Sequence, residues 1–246
     1  MSSEPAAKDK VLVFLPTYND HTELLRIIRE IESQGPEYRI LVIDDGSTQV
    51  VEPGSLPDHV LQVRLPDNFG LGVCTHVAFD HAVRHGYRAV IRIDADGQHP
   101  VDRIPNLRRA LDEGSVDLCI GARTNRNDGN DGNGFRALVS RLIRQYLSVV
   151  ARMATAGKSP ADINSGFMGV SLKAAKQLSR FSLERYPEPQ IVVLALRNGL
   201  RVGTVPIEQA PRAVGTSTIG LSDGAALFYR FNMFIIGEFL QGRNHK

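Results

Sequence analysis

Two aspartates one residue apart, Asp94 and Asp96, lie in the stretch Arg92-Ile93-Asp94-Ala95-Asp96-Gly97-Gln98-His99-Pro100, just after the apolar run Ala89-Val90-Ile91. Carboxylates at the end of a buried strand stand on backbone that the sheet has released. That suits a hard divalent cation, Mg²⁺ or Mn²⁺, which keeps positions open for phosphate oxygens. The same residues also suit a plain strand-end turn, with an aspartate taking loop amides and Gly97 supplying a positive φ. Two more polar loops bear on the choice. Pro16-Thr17-Tyr18-Asn19 ends an apolar run that begins at Val11, and Asp44-Asp45-Gly46-Ser47 ends one that begins at Ile40.

These apolar runs are continuous rather than alternating, as strands covered on both faces are. Between them Leu24, Leu25, Ile27, Ile28 and Ile31 recur at helical spacing, predicting a helix that ends near Gly35-Pro36. Val60 to Leu65 predicts a further strand, and Asn68-Phe69-Gly70-Leu71-Gly72 opens a helix reaching about His85. Strands alternating with helices predict a mostly parallel sheet with helices on both faces. Ligands of such sheets bind beyond the carboxyl ends of the strands. All three polar loops therefore fall on one rim, a convergence that packing alone does not require.

The second half continues with a helix from Val101 to Glu113, a strand from Val116 to Ile120, and Gly121-Ala122-Arg123. Asn125 to Gly134 is almost wholly Asn, Asp, Gly and Arg and has nothing to bury. From Phe135 to about Ala154 a helix sets Arg136, Arg141, Arg144 and Arg152 on one arc and Leu138, Val139, Leu142, Tyr146, Val149, Val150 and Met153 on another, with no acid. A face of one sign suits an anionic surface such as lipid headgroups or a lipid phosphate; the alternative is a plain surface helix. Asp162 to Val170 reads as a polar loop entering a short strand, and Leu172 to Leu178 as a short helix. Tyr186-Pro187-Glu188-Pro189-Gln190 leads into a helix from Ile191 that Gly199 closes. A strand over Arg201 to Glu208 precedes Arg212-Ala213-Val214-Gly215-Thr216-Ser217, a loop with a cation and hydroxyls. The last helix, Asp223 to Leu240, is apolar almost all round, interrupted by Arg230, Asn232 and Glu238, which predicts a dimer contact or docking on a membrane surface.

A hydrophobic fraction of 42% and a charged fraction of 23% over 246 residues fit one large α/β domain with a helical extension. The net charge of +2 makes no case for nucleic acid. Cys74 and Cys119 lie in apolar segments without ligand-like neighbours and read as buried thiols of a reducing compartment. Met1 to Lys10 has no apolar signal core, and no run of 18 apolar residues predicts a spanning helix. The expected location is the cytoplasm, or the cytoplasmic face of a membrane.

In this order the motifs resemble the family 2 glycosyltransferases of the GT-A fold, and are similar to the branch containing dolichol- and polyprenyl-phosphate sugar synthases. Pro16 to Asn19, Asp44 to Ser47, Asn68 to Gly72, Asp94 to Pro100, Ser165-Gly166-Phe167 and Arg212 to Ser217 carry the resemblance. The Tyr186 to Gln190 element is similar to one in bacterial surface-polysaccharide enzymes. The resemblance implies a tail over 1–9, a GT-A catalytic domain over 10–220, and an apolar helix and tail over 221–246. It implies an inverting transfer from a nucleotide-diphosphate sugar to a glycan or lipid-linked acceptor, with a lipid monophosphate acceptor as the alternative. Pro16, Thr17, Tyr18, Asn19 and either Asp44 or Asp45 would hold the base and ribose, and Gly70 would let the backbone approach the nucleotide. Asp94, Asp96 and Gln98 would bind Mg²⁺ or Mn²⁺ beside Ala95, and Arg212, Ser217 and Arg123 would clamp phosphate oxygens. Glu188, then Asp162, are the candidate bases for a hydroxyl acceptor; an ionised lipid phosphate needs none. Each carboxylate also has a structural reading, Glu188 at a helix start and Asp162 in a turn.

A nucleotide-dependent dehydrogenase should carry G-x-G-x-x-G after the first strand, where this chain has Pro16 to Asn19. A nucleotidyltransferase should carry a glycine-rich basic loop there, which is absent. A lapsed binding subunit that tethers a partner through the last helix is the non-enzyme alternative.

Overall fold

The computed structural model describes residues 8–52, 54–124, 135–208 and 221–241. Asn125 to Gly134, Arg212 and Ser217 lie outside them.

The first half builds as its periodicity predicts. Strand β1 is Val11–Thr17, helix α1 Leu24–Gln34, β2 Tyr38–Asp44, β3 Leu61–Arg64, α2 Leu71–His85 and β4 Ala89–Arg92. A single 3₁₀ turn, Val101–Arg103, leads into α3, Ile104–Asp112. Then come β5 Leu118–Arg123, α4 Phe135–Ala154, β6 Met168–Ser171, α5 Leu172–Leu178, α6 Glu188–Arg197, β7 Val202–Ile207 and α7 Leu221–Gln241. Seven strands form one sheet in the order β3-β2-β1-β4-β6-β5-β7, and β6 alone runs antiparallel to its neighbours β4 and β5. The expected mostly parallel sheet is therefore present with one reversed interior strand, β6, beside the central β4. Two apolar layers cover it: α2, α5 and α6 pack with the inner residues of α4 and α7 on one face, and α1 and α3 lie on the other.

Pro16 sits inside a central strand, where a missing N–H ordinarily breaks the ladder. Here it costs nothing. Phe14 O accepts from Ile93 N on the β4 side and Thr17 O from Asp45 N on the β2 side, so Pro16, two residues past Phe14, faces β4. The β1–β4 pairing ends at Phe14 and Arg92. Beyond Arg92 the β4 segment has left the sheet, while β1 stays paired with β2 as far as Thr17 and Asp44.

The two long helices bury only part of their apolar surface. On α4 the buried residues among those described, from Arg141 onward, are Leu147 and Ala151, while Leu142, Tyr146, Val149 and Met153 of the expected apolar arc are exposed. On α7, Phe231 and Ile235 are buried, and Phe228, Tyr229, Met233, Ile236, Phe239 and Leu240 are exposed. Each helix has more apolar surface than the domain can cover, so a narrow inner stripe packs and a second faces outward. No helix among the described residues is long and apolar enough to cross a membrane.

Candidate active site at the carboxyl rim of the sheet

The three polar loops share one rim: those after β1 and β2 are hydrogen-bonded to each other, and the loop after β4 is held by bonds of its own. Asn19, at φ 53°, donates its N–H to Ser47 Oγ at 2.9 Å, and its Oδ1 accepts from Thr48 N at 2.8 Å and Gln49 N at 3.2 Å. Thr17 Oγ1 donates to Asp20 O at 2.6 Å, which closes the turn after β1. Tyr18 and Phe69 project their rings into solvent along the rim.

The two aspartates ending β2 divide their work. Asp45 takes Phe69 N at 2.9 Å on Oδ1 and Gly70 N at 2.8 Å on Oδ2. Burial raises its pKa, and the two amides oppose that. Asp44 is fully buried; its Oδ1 accepts from Ser47 N at 2.9 Å, and its Oδ2 has Arg64 Nε at 3.6 Å but no hydrogen-bond partner. Gly70 has φ 92°, and a Cβ there would stand 2.5 Å from Arg185 Cγ. Glycine is required by both the backbone angle and the close packing.

Behind the acidic pair lies a cation that the sequence reading quoted without giving it a role. Arg92, the last residue of β4, is 2% exposed and fully enclosed. Its Nε donates to Asp94 Oδ1 at 3.0 Å, its Nη2 lies 2.9 Å from the same oxygen, and its Nη1 donates to Glu188 Oε1 at 2.7 Å. Burial disfavours the charge on Arg92, yet the two carboxylates outweigh it and raise its pKa. Glu188 is the first residue of α6 rather than a residue ahead of the helix, so it joins α6 to the acidic loop. The sequence signal for this was slight: an arginine closing a fully apolar strand must find carboxylates, but which ones depends on the fold.

His99 is the other group without an assigned role. Its Nδ1 accepts the Asp94 N–H at 3.0 Å, which places the ring proton on Nε2, 3.8 Å from Asp94 Oδ2. Burial holds its pKa below the usual value, against the pull of Asp94 and Asp96. The ring rests on Phe167, with centroids 5.5 Å apart. Asp96 Oδ1 accepts from Gln98 N at 3.0 Å, which curls the loop so that Asp94, Asp96 and Gln98 share one short turn beside the buried Ala95. Gly166 completes the enclosure, since a Cβ there would lie 2.5 Å from Asp94 Oδ2 and 3.1 Å from Arg92 Nη2.

Arg123 and Asp162, predicted separately as phosphate clamp and base, pair with each other. Nε donates to Oδ2 and Nη2 to Oδ1, each at 2.8 Å, a fork-on-fork geometry. Burial pushes the Asp162 carboxyl up, but Arg123 outweighs it and holds the pKa below the ordinary carboxylate value. Among the described residues no group of three or more His, Cys, Asp or Glu side chains forms a closed metal cage. Two carboxylates and an amide form an open set of hard oxygen donors, which fits a Mg²⁺ or Mn²⁺ that takes its remaining ligands from phosphate and water.

A central mixed sheet with an acidic pair and converging polar loops at one rim defines a GT-A-type nucleotide-sugar transferase fold. The chain belongs to glycosyl transferase family 2, whose profile matches residues 12–178. It is 28% identical to the polyprenol monophosphomannose synthase of Mycolicibacterium smegmatis, over 95% of this chain and 88% of that protein. Among solved structures it resembles glucosyl-3-phosphoglycerate synthase from Mycobacterium tuberculosis in complex with phosphoglyceric acid, with a TM-score of 0.70 and 19% identity over 94% of this chain and 81% of that one. The same synthase in complex with Mn²⁺, uridine diphosphate and phosphoglyceric acid matches at a TM-score of 0.68 and 18% identity, over 94% and 80% of the two chains.

Proposed function

We propose that this transferase moves a sugar, with inversion, from a nucleoside-diphosphate sugar to a polyprenyl monophosphate. The observation that carries this choice of acceptor is the Arg92–Glu188 pair. A hydroxyl acceptor needs a base to take its proton, and both candidate bases are bound to guanidinium groups, Glu188 by Arg92 and Asp162 by Arg123. A phosphate monoester is already ionised. One of its oxygens attacks the anomeric carbon as the bond from that carbon to the nucleoside diphosphate breaks, and no proton has to move. The relative named as a polyprenol monophosphomannose synthase supports the same acceptor class.

In this reading Tyr18 and Phe69 offer faces to the base; Asn19 ties the Tyr18 loop to the loop after β2, and Asp45 of that loop holds the Phe69 amide. Asp44 Oδ2, buried without a hydrogen-bond partner, is better placed than Asp45 to accept a ring N–H. Asp94, Asp96 and Gln98 would hold a divalent cation, which when bound offsets the charge gathering on the departing diphosphate. Arg92 fixes the direction of Asp94 and of the α6 start, and His99 anchors the Asp94 backbone. Arg212 and Ser217 remain the proposed phosphate clamp, together with whatever donor capacity Arg123 brings while paired to Asp162.

The test is turnover of UDP-, GDP-, dTDP- and CDP-sugars with a polyprenyl phosphate against a set of free saccharides. Product on the lipid phosphate with one nucleotide supports the assignment. Product on saccharides alone overturns the acceptor and returns Glu188 to the role of base.

A further inference from the structure

The geometry points to a membrane-docking face on α4 and α7 that binds an anionic phospholipid surface. Two apolar stripes repeat the same 4-3-4 spacing, 142-146-149-153 on α4 and 229-233-236-240 on α7. Leu142, Val149, Met153, Tyr229, Met233 and Ile236 are 49–75% exposed. The helices lie side by side, with Tyr146 stacked 4.8 Å from Phe228 and its hydroxyl donating to Asn232 Oδ1 at 2.5 Å. The stripes therefore form one continuous surface. Scattered exposed apolar residues need no explanation, but a contiguous patch does.

Charge identifies the occupant. Arg141 and Arg152 are exposed and flank the Leu142–Val149 stripe of α4 on one side, at about 100° per residue, and α4 contains no acid. Two carboxylates on α7 or packed against it have other partners: Glu238 meets Arg197 at 2.9 Å and Glu184 meets Arg230 at 2.6 Å. An apolar face with a basic rim that meets no carboxylate among the described residues matches the boundary between headgroups and acyl chains of an anionic leaflet. A second copy of this chain matches less well, because a twofold interface presents the same patch twice and gathers both arginine rims without acids between them. The face also adjoins the site, since α6, which begins at Glu188, packs against both helices. The argument is independent of the acceptor, so the vesicles that test it contain none.

Flotation with vesicles of phosphatidylcholine alone, and of phosphatidylcholine mixed with phosphatidylglycerol, reads the binding. The wild type should float with the mixed vesicles and be released by salt. Arg141→Gln/Arg152→Gln should bind about 30-fold more weakly, and Met153→Ser/Ile236→Ser about 10-fold more weakly. Because all four side chains are exposed, thermal midpoints should stay unchanged. Equal binding to neutral vesicles, or no loss in either variant, overturns the proposal. So does a stable dimer in solution that Ile236→Ser dissociates, with no vesicle binding by the monomer.

Discussion

Arg92 Nη1 donates to Glu188 Oε1 at 2.7 Å while Nε of the same guanidinium donates to Asp94 Oδ1 at 3.0 Å. One buried cation thus ties the acidic loop after β4 to the first turn of α6. Removing a single partner from such a group leaves charge buried and uncompensated, at a cost of about 3–5 kcal/mol. Arg92→Met should lower stability by about that much, and Arg92→Met/Glu188→Gln should recover a large part of it. Denaturant melts of the two single variants and the double variant measure this coupling.

Glu188→Gln separates structural work from proton transfer. With a polyprenyl phosphate acceptor kcat should fall by less than about 10-fold. A base would lose about 10²–10⁴-fold and its pH inflection as well. The pH profile of kcat for both proteins decides between the two.

Gly166→Ala would put a methyl group where Asp94 Oδ2 and Arg92 Nη2 already crowd. The carboxylate must turn away, so metal-dependent nucleotide binding should weaken more than about 10-fold while the thermal midpoint of the unliganded protein moves by only a few degrees. Calorimetric titration of the nucleotide with Mn²⁺ and with chelator reads the loss.

Asp96→Ala removes one of the two carboxylates that would hold the cation. In a thermal-shift panel with UDP, GDP, dTDP and CDP, the wild type should gain stability with one nucleotide when Mn²⁺ is present. The variant should show no such gain. Equal shifts in the two proteins, or shifts indifferent to chelator, would remove the metal from Asp96.

Acid should weaken the fold through Asp117. Burial pushes this carboxyl up, but Arg201 and Lys173 pull harder and bring its pKa from 3.8 down to about 2. A depressed carboxylate contributes stability that is fully present above its unfolded pKa and lost as the pH falls from about 3.8 toward about 2. Both cations are more than half exposed, so solvent screening limits the contribution to about 1 kcal/mol. Melts between neutral pH and pH 2 should show this loss in the wild type and a flatter dependence in Asp117→Asn.

Much of the fold lay in local signals. Continuous apolar runs located β1, β2 and β4, and helical spacing located α1 and the long α4. The chemistry of Asp94-Ala95-Asp96 and of the loops after β1 and β2 pointed to one rim as the candidate site, because backbone periodicity and loop composition act over a few residues. The chain order of its motifs carried the family. Tertiary structure decided the pairings. Arg92 meets Glu188 across 96 residues, and Arg123 meets Asp162 across 39. The reversed β6 brings Gly166 against Asp94. None of these follows from neighbours in sequence, because a buried guanidinium takes whichever carboxylates the packed sheet and helices bring within reach. The same packing determined which apolar stripe of α4 and α7 faces inward and which faces solvent, since helical spacing reports that a face is apolar but not what covers it.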